Sequence, residues 1–207
     1  MLFDHYFPGV LPGTPYSMPP LDVETYEKTL GELVFFTVLA NIPAAKEMAA
    51  IDQFDLPYTN DFDLARAISE SLAIHSVGVN DLLNSARGMP FDNSNVYYSG
   101  TSNDADLNAN IARITSDRQA RRYLERWYEP TGDIGATPVM LVHTARDGIV
   151  PERSNNDKYE SLVKERGFGD YLVRRVLGRA GHCVISPDEI FGSFFELATW
   201  VETGIRP

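Results

Sequence analysis

The spacing of apolar residues changes at Pro130 and divides the chain into two regions. Over residues 22–130 apolar side chains recur three and four positions apart, a period that predicts amphipathic helices. The predicted helices run from about Asp22 to Ala40, from Pro43 to Phe54, from Asp63 to Ala86, from Asp104 to Ile114, and onward from a capping box at Ser116–Gln119. Residues 88–100, rich in Asn, Ser and Gly, are predicted to be loop. We therefore expect this region to be mostly helical.

Beyond Pro130 the pattern is that of a strand, a helix and a second strand. Residues 137–144 and 171–177 are short apolar runs of the kind found in buried parallel strands, and residues 155–166 between them are amphipathic. A capping box at Ser186 then opens a last helix that ends near Thr203. The pattern predicts an α/β class, with a parallel βαβ unit followed by a C-terminal helix.

Three regions of different composition follow from this pattern. Residues 1–21 contain five prolines, which predicts a proline- and glycine-rich loop, or an arm lying on another surface. Residues 22–130 form the helical region, and residues 131–207 form the βαβ unit with its final helix. Two parallel strands make too small a sheet to stand alone. We expect either that another chain completes the sheet or that this chain belongs to a larger fold.

Composition and charge exclude several classes of protein. Hydrophobic residues make up 43% of the chain, an ordinary value for a soluble globular protein, and the longest apolar run, Leu33–Ala40, is too short to span a membrane. The first residues lack the features of a signal peptide, and no compartment is fixed. Residues 1–110 have 15 acidic and 4 basic side chains, a net charge of −11, which argues against a nucleic-acid partner.

One candidate catalytic residue follows each of the two predicted strands. Asp147 lies just after the first strand and His182, in Gly181-His182-Cys183, lies just after the second. Because parallel strands end at the same edge of a sheet, this aspartate could orient that histidine as a general base. Alternatively, Asp147 stabilises its turn or caps the next helix, and His182 is a turn residue.

The region that contains these residues resembles the C-terminal part of the α/β-hydrolase superfamily. In that superfamily the acid follows the penultimate strand and the histidine follows the last strand, as do the Asp147-Gly148-Ile149-Val150-Pro151 and Gly181-His182 segments here. The resemblance implies that Asp147 is the acid and His182 the base of a catalytic triad. It further implies that residues 22–130 are a helical lid, with sequence segments similar to those in the lid of bacterial esterases and prolyl-oligopeptidase-like enzymes.

The nucleophile of such a triad has no clear counterpart in the sequence. The 207 residues contain no Gly-x-Ser-x-Gly motif, and the nearest string, Ile74-His75-Ser76-Val77-Gly78, follows a helical pattern and not a strand. Ser76 is therefore only a weak candidate. Cys183 follows His182 directly, and because adjacent side chains on an extended loop point apart, it is expected to be a buried apolar residue. As the single cysteine, it excludes an internal disulfide. His143, within the first strand, is expected to be a hydrogen-bonded core residue.

These inferences predict the C-terminal part of a serine hydrolase that acts on an ester or peptide by acyl transfer to water. Without a nucleophile the chain is expected to be inactive alone, and either to bind the missing N-terminal half or to self-associate. No metal or organic cofactor and no membrane partner is expected. The alternative is a non-catalytic binding or scaffolding module derived from the same fold.

Overall fold

The structure of the protein is a computed structural model that describes residues 1–12, 23–52, 56 and 58–207. Within this part the chain forms two compact units, residues 1–129 and residues 130–207.

The first unit is helical in the part that the structure describes. Its helices are α1 (Leu2–Tyr6), α2 (Val23–Tyr26), α3 (Glu32–Ala40), α4 (Ile42–Ala49), α5 (Asp61–Ala86), α6 (Asp104–Asn110) and α7 (Arg118–Trp127), with a π-helical turn at Glu27–Gly31 between α2 and α3. The prediction of a mostly helical region is confirmed for these residues. The predicted starting residue Asp22 and end residue Phe54 lie outside the described residues.

Helix α5 is the longest helix in the described part of this unit, and it packs against α3. Asn60 caps its first turn by accepting the N–H of Asp63, and Arg87 ends it in the left-handed conformation. The apolar residues that it buries join others from α1 to α4 and from the segments that follow α1 and α4 in one cluster: Phe3, Phe7, Leu11, Tyr26, Val34, Val38, Ala45, Met48, Leu56, Leu64, Ala65, Ile68 and Ala73. Burial of this cluster is the main source of stability for these helices.

Two sequence predictions in this unit are wrong. Residues 2–6, predicted to be part of a loop or arm, form helix α1, because the first proline comes only at position 8 and Phe3 and Phe7 stack one turn apart in the core. The capping box predicted at Ser116–Gln119 does not form. The backbone N–H and the hydroxyl of Ser116 donate instead to Asp92, and α7 begins one residue later, after Asp117.

The second unit consists of β1 (Val139–Arg146), α8 (Glu152–Glu165), a 3₁₀ turn (Gly169–Tyr171), β2 (Leu172–Ala180) and α9 (Pro187–Thr203). The two strands are parallel neighbours in one sheet, as predicted, and Val139 lies opposite Leu172. The register shifts near its end, where Thr144 lies opposite Leu177 but Arg146 opposite Ala180. One extra residue of β2 therefore bulges just before the loop that contains His182.

Two consecutive arginines of β2 show that α8 and α9 cover opposite faces of the sheet. Arg174 forms ion pairs with Glu152 and Glu160 of α8, whereas Arg175 donates to Ser193 and pairs with Glu196 of α9. Successive side chains of a strand point to opposite faces. The unit is therefore a layered α/β arrangement, and the whole chain is of mixed α/β class.

The predicted burial of the strands on both faces is not observed. Along β1 only Thr144 is buried, and the apolar residues of the strand are half-buried. Helix α9, which begins at the predicted Ser186–Glu189 capping box, exposes a row of large apolar side chains: Ile190, Phe191, Phe194, Phe195 and Val201. Two strands and two helices provide too little surface to cover these side chains.

Candidate active site

Asp147 lies one residue beyond the end of β1, and the residue as a whole is only 3% exposed. Its Oδ1 accepts the backbone N–H groups of Ile149 and Val150, each at 2.9 Å. Its Oδ2 faces Nδ1 of His182 at 2.9 Å. Asp147 therefore stabilises its own turn, as one reading of the sequence expected, and also holds a histidine from the next strand.

The loop that contains His182 is attached to β1. The hydroxyl of Thr144 donates to the carbonyl of Gly181 at 2.6 Å, and the N–H of Gly181 donates to the carbonyl of Arg146 at 2.8 Å. Gly181 has a φ of +119°, and a Cβ there would lie 2.6 Å from Cγ2 of Val184. Only glycine fits this position without strain. The predicted proximity of Asp147 and His182 is thereby confirmed, and both residues lie at the same edge of the sheet.

Hydrogen bonding fixes the tautomer of the His182 ring. An ionised carboxylate only accepts, so Nδ1 of His182 carries the proton that it donates to Asp147. In the neutral ring Nε2 is then the basic atom. The side chain of His182 is 39% exposed, whereas that of Asp147 is 4% exposed. The arrangement is a buried acid behind a half-exposed base, as in the acid–base part of a triad.

The environment of Asp147 keeps its carboxyl group ionised. Burial raises the pKa of this carboxyl, but hydrogen bonds from the Val150 N–H, the His182 ring and the Ile149 N–H outweigh burial. The net effect is a pKa below its ordinary value. A charged Asp147 can therefore stabilise an imidazolium when His182 takes up a proton.

Cys183 is exposed, and the prediction that it is a buried apolar residue is wrong. Its Sγ lies 3.4 Å from Nε2 of His182. The prediction assumed an extended loop, in which neighbouring side chains point apart. Cys183 instead has a φ of +54°, in the left-handed region, and this turn brings its thiol toward the ring. The thiol therefore lies beside the basic nitrogen.

His143 is a neighbour of this site that the sequence did not reveal. Its Nδ1 donates to the carbonyl of Thr144 at 2.7 Å, so it is hydrogen-bonded as expected. Its Nε2, however, lies 3.8 Å from Oδ2 of Asp147. The sequence signal was only the spacing of four residues between His143 and Asp147, and this spacing indicates proximity in a helix, not at a strand end.

Ser76, the weak nucleophile candidate, lies within the continuous helix α5 of the first unit. Its hydroxyl donates to the carbonyl of Ala73 at 2.8 Å. A nucleophile elbow instead places serine on a sharp turn between a strand and a helix. The local geometry at Ser76 is therefore that of an ordinary helical serine.

The part of the chain that the structure describes contains neither a metal-binding cluster nor a membrane-spanning helix. No group of three or more His, Cys, Asp or Glu side chains there is arranged to hold a metal ion. None of the helices in that part is both long enough and apolar enough to cross a membrane.

Comparison with known proteins leaves the geometry of the site as the basis for inference. No protein-family model matches the sequence, no curated protein matches it, and no solved structure matches the fold.

Proposed function

We propose that residues 130–207 supply the acid and the base of a serine hydrolase of the α/β-hydrolase type. The observation that supports this proposal is the 2.9 Å contact between Nδ1 of His182 and Oδ2 of Asp147, at the shared end of two parallel strands. The reaction class is acyl transfer from an ester or a peptide to water. Asp147 orients the ring, and His182 is the general base and then the general acid.

Each step of this reaction uses the basic nitrogen Nε2 of His182. It takes the proton of a serine hydroxyl as the serine oxygen attacks the carbonyl carbon of the substrate. It then gives that proton to the leaving alcohol or amine, and an acyl-enzyme remains. In the second half Nε2 takes a proton from water as the water oxygen attacks the acyl carbon. The bond between that carbon and the serine oxygen then breaks, Nε2 returns the proton to the serine oxygen, and the carboxylic acid is released.

The serine is proposed to come from polypeptide outside these 207 residues. We propose that this polypeptide contributes parallel strands beside β1 or β2, together with a Gly-x-Ser-x-Gly elbow and oxyanion-hole donors. The half-buried strands and the apolar row on α9 support a partner of this kind, because parallel sheets are normally covered on both faces. Residues 22–130 are proposed to be the lid of the completed enzyme.

The experiment begins with the coding sequence immediately upstream of Met1. If that sequence encodes strands and an elbow, the two polypeptides are produced together and assayed with p-nitrophenyl acetate. We expect turnover that falls at least about a hundredfold with His182→Ala and with replacement of the elbow serine by alanine. Asn84→Ala, on the exposed side of α5, is a matched control that leaves turnover unchanged.

An assay of the chain without a partner distinguishes the remaining interpretations of its function. We expect no turnover above that of its His182→Ala variant, because the residues that the structure describes form no oxyanion hole and no activated serine, and loss of one oxyanion donor alone costs about 3–4 kcal/mol. Turnover by the chain alone, with a fluorophosphonate attached to Ser76, would contradict the proposal. An upstream sequence without strands or an elbow would instead favour the non-catalytic binding module.

A further inference from the structure

The helical unit contains a cavity of about 340 Å³. It lies between α1, α4, α5 and the loop of residues 88–100, entirely within residues 1–129. Its volume is within the range of about 300–1,000 Å³ that is usual for small-molecule sites. The walls are mainly apolar, with contributions from Leu11, Met48, Ile68, Leu72, Val79 and Phe91. The cavity is therefore large enough for a small apolar molecule, whether or not residues 130–207 belong to a hydrolase.

Two polar residues of α5 that line the cavity form a hydrogen-bonded pair. Ser71 and His75 lie one turn apart on α5, and Oγ of Ser71 is 3.0 Å from Nδ1 of His75. Ser71 is buried, whereas His75 is exposed at the rim of the cavity. A few polar groups in an apolar pocket fix the orientation of a ligand. We therefore expect the polar group of a ligand to lie near His75 and its apolar body to lie deeper.

The charges around the cavity disfavour an anion. The hydroxyl of Ser94 and the backbone N–H groups of Ser116 and Ser94 lower the pKa of Asp92 to about 2, so this lining residue is negative at neutral pH. Asp4 also lines the cavity and pairs with the amino group of Met1 at 3.3 Å. A carboxylate ligand would be repelled by the exposed Asp92 and would lose its hydration against the apolar walls.

We infer that this cavity binds an uncharged, mainly apolar small molecule with a single hydroxyl or carbonyl group. The apolar body contacts Ile68, Leu72 and Phe91, and the hydroxyl or carbonyl group bonds to Nε2 of His75. The inference assigns a binding site, and no catalytic step, because Ser71 lies in the middle of a continuous helix.

The test compares two probes of equal chain length, n-octanol and octanoate, which differ in the charge of the head group. Each is titrated into the ¹⁵N-labelled full chain and followed by amide chemical shifts. We expect n-octanol to shift the amides of Ile68, Ser71, Leu72 and His75, and octanoate to bind at least about tenfold more weakly. Equal binding of the two probes contradicts the inferred ligand class, and shifts confined to α9 contradict the site.

Matched variants locate the site on α5. Leu72→Trp fills the cavity and should weaken n-octanol binding at least about tenfold, whereas Asn84→Trp, exposed on the same helix, should leave it unchanged. Val79→Phe is a smaller filling change that decides the question if Leu72→Trp loses helical circular dichroism. Asp92→Asn should strengthen octanoate binding more than n-octanol binding. Unaltered n-octanol binding in both filled variants overturns the inference.

Discussion

The hydroxyl of Thr144 on β1 donates to the carbonyl of Gly181, 37 residues later, at 2.6 Å. Thr144 is 2% exposed, so this bond is shielded from water. It joins the strand that leads to the acid with the loop that contains the base. The bond therefore determines where His182 lies relative to Asp147.

Thr144→Val removes this hydrogen bond while nearly preserving the shape of the side chain. It leaves the half-buried carbonyl of Gly181 without its donor, so we expect the free energy of unfolding to fall by about 1–3 kcal/mol. Denaturation followed by the fluorescence of Trp200, in a Trp127→Phe background, reports on the second unit alone. Thr144→Ser keeps the hydroxyl and is the control. Equal destabilisation by both variants would point to packing, not to the hydrogen bond.

Gly181→Ala tests whether the loop requires a positive φ. The added Cβ would lie 2.6 Å from Val184 in a backbone conformation that alanine rarely adopts, so we expect a loss of about 1–3 kcal/mol. Gly178→Ala is the matched control on β2, because nothing lies within 4 Å of its Cβ position. The same fluorescence-detected denaturation measures both variants, and a loss in Gly178→Ala of the same size counts against the explanation.

Asp147 makes the stability of the second unit depend on pH. Its pKa is lowered on folding, so its ionised form stabilises the native state above the ordinary carboxyl pKa of 3.8, and this contribution is lost as pH falls through the lower folded value. Asp147→Asn should therefore be less stable than the parent chain at pH 7, and the difference should shrink below pH 4. Denaturation midpoints between pH 3 and pH 7 measure the effect. A difference that stays constant over this range shows that ionisation is not involved.

The thiol of Cys183 lies within reach of Nε2 of His182. Because Sγ lies 3.4 Å from Nε2, the ring can take the thiol proton as the sulfur attacks an alkylating reagent. We expect iodoacetamide to alkylate Cys183 several times more slowly in His182→Ala at pH 7, as measured by mass spectrometry. His75→Ala, which alters a histidine of the other unit, should leave the rate unchanged. A rate in His182→Ala equal to that of the parent chain would show that the two side chains are not coupled.

The apolar row on α9 predicts association of the chain with itself when the proposed partner is absent. Phe191 and Phe195 are 60% and 64% exposed, and apolar patches of this kind favour contact between molecules. Light scattering should show a dimer or larger assembly, and Phe191→Ser with Phe195→Ser should shift it toward monomer. Phe62→Ser with Phe36→Ser, exposed residues of the first unit, is the control. A monomeric parent chain contradicts the prediction.

The sequence predicted those parts of the fold that depend on local patterns. Short apolar runs located β1 and β2, and the Ser186–Glu189 capping box that located α9 formed as expected because all its partners lie within one turn. Ser116 failed as a cap because Asp92, 24 residues earlier, binds its backbone N–H and hydroxyl. Such a distant partner leaves no local pattern in the sequence.

The candidate site was predictable only in part, for a similar reason. Asp147 and His182 each follow an apolar run, and the parallel sheet brings strand ends together. The position of Cys183 depends on one backbone angle, and that of His143 on the exact end of β1, neither of which a residue pattern specifies. The cavity of the helical unit likewise arises from packing among elements distant in sequence.

The attachment of the His182 loop to β1 has a mechanical consequence. Although this loop follows β2 in the chain, Gly181 is bonded to Thr144 and Arg146, so the histidine moves with the strand that precedes its aspartate. A strand that slides or twists beside the outer edge of β2 would leave the distance between base and acid unchanged. Contacts within residues 139–185 therefore hold the acid and the base in alignment. This segment could be transplanted into another parallel sheet with its acid–base pair already aligned.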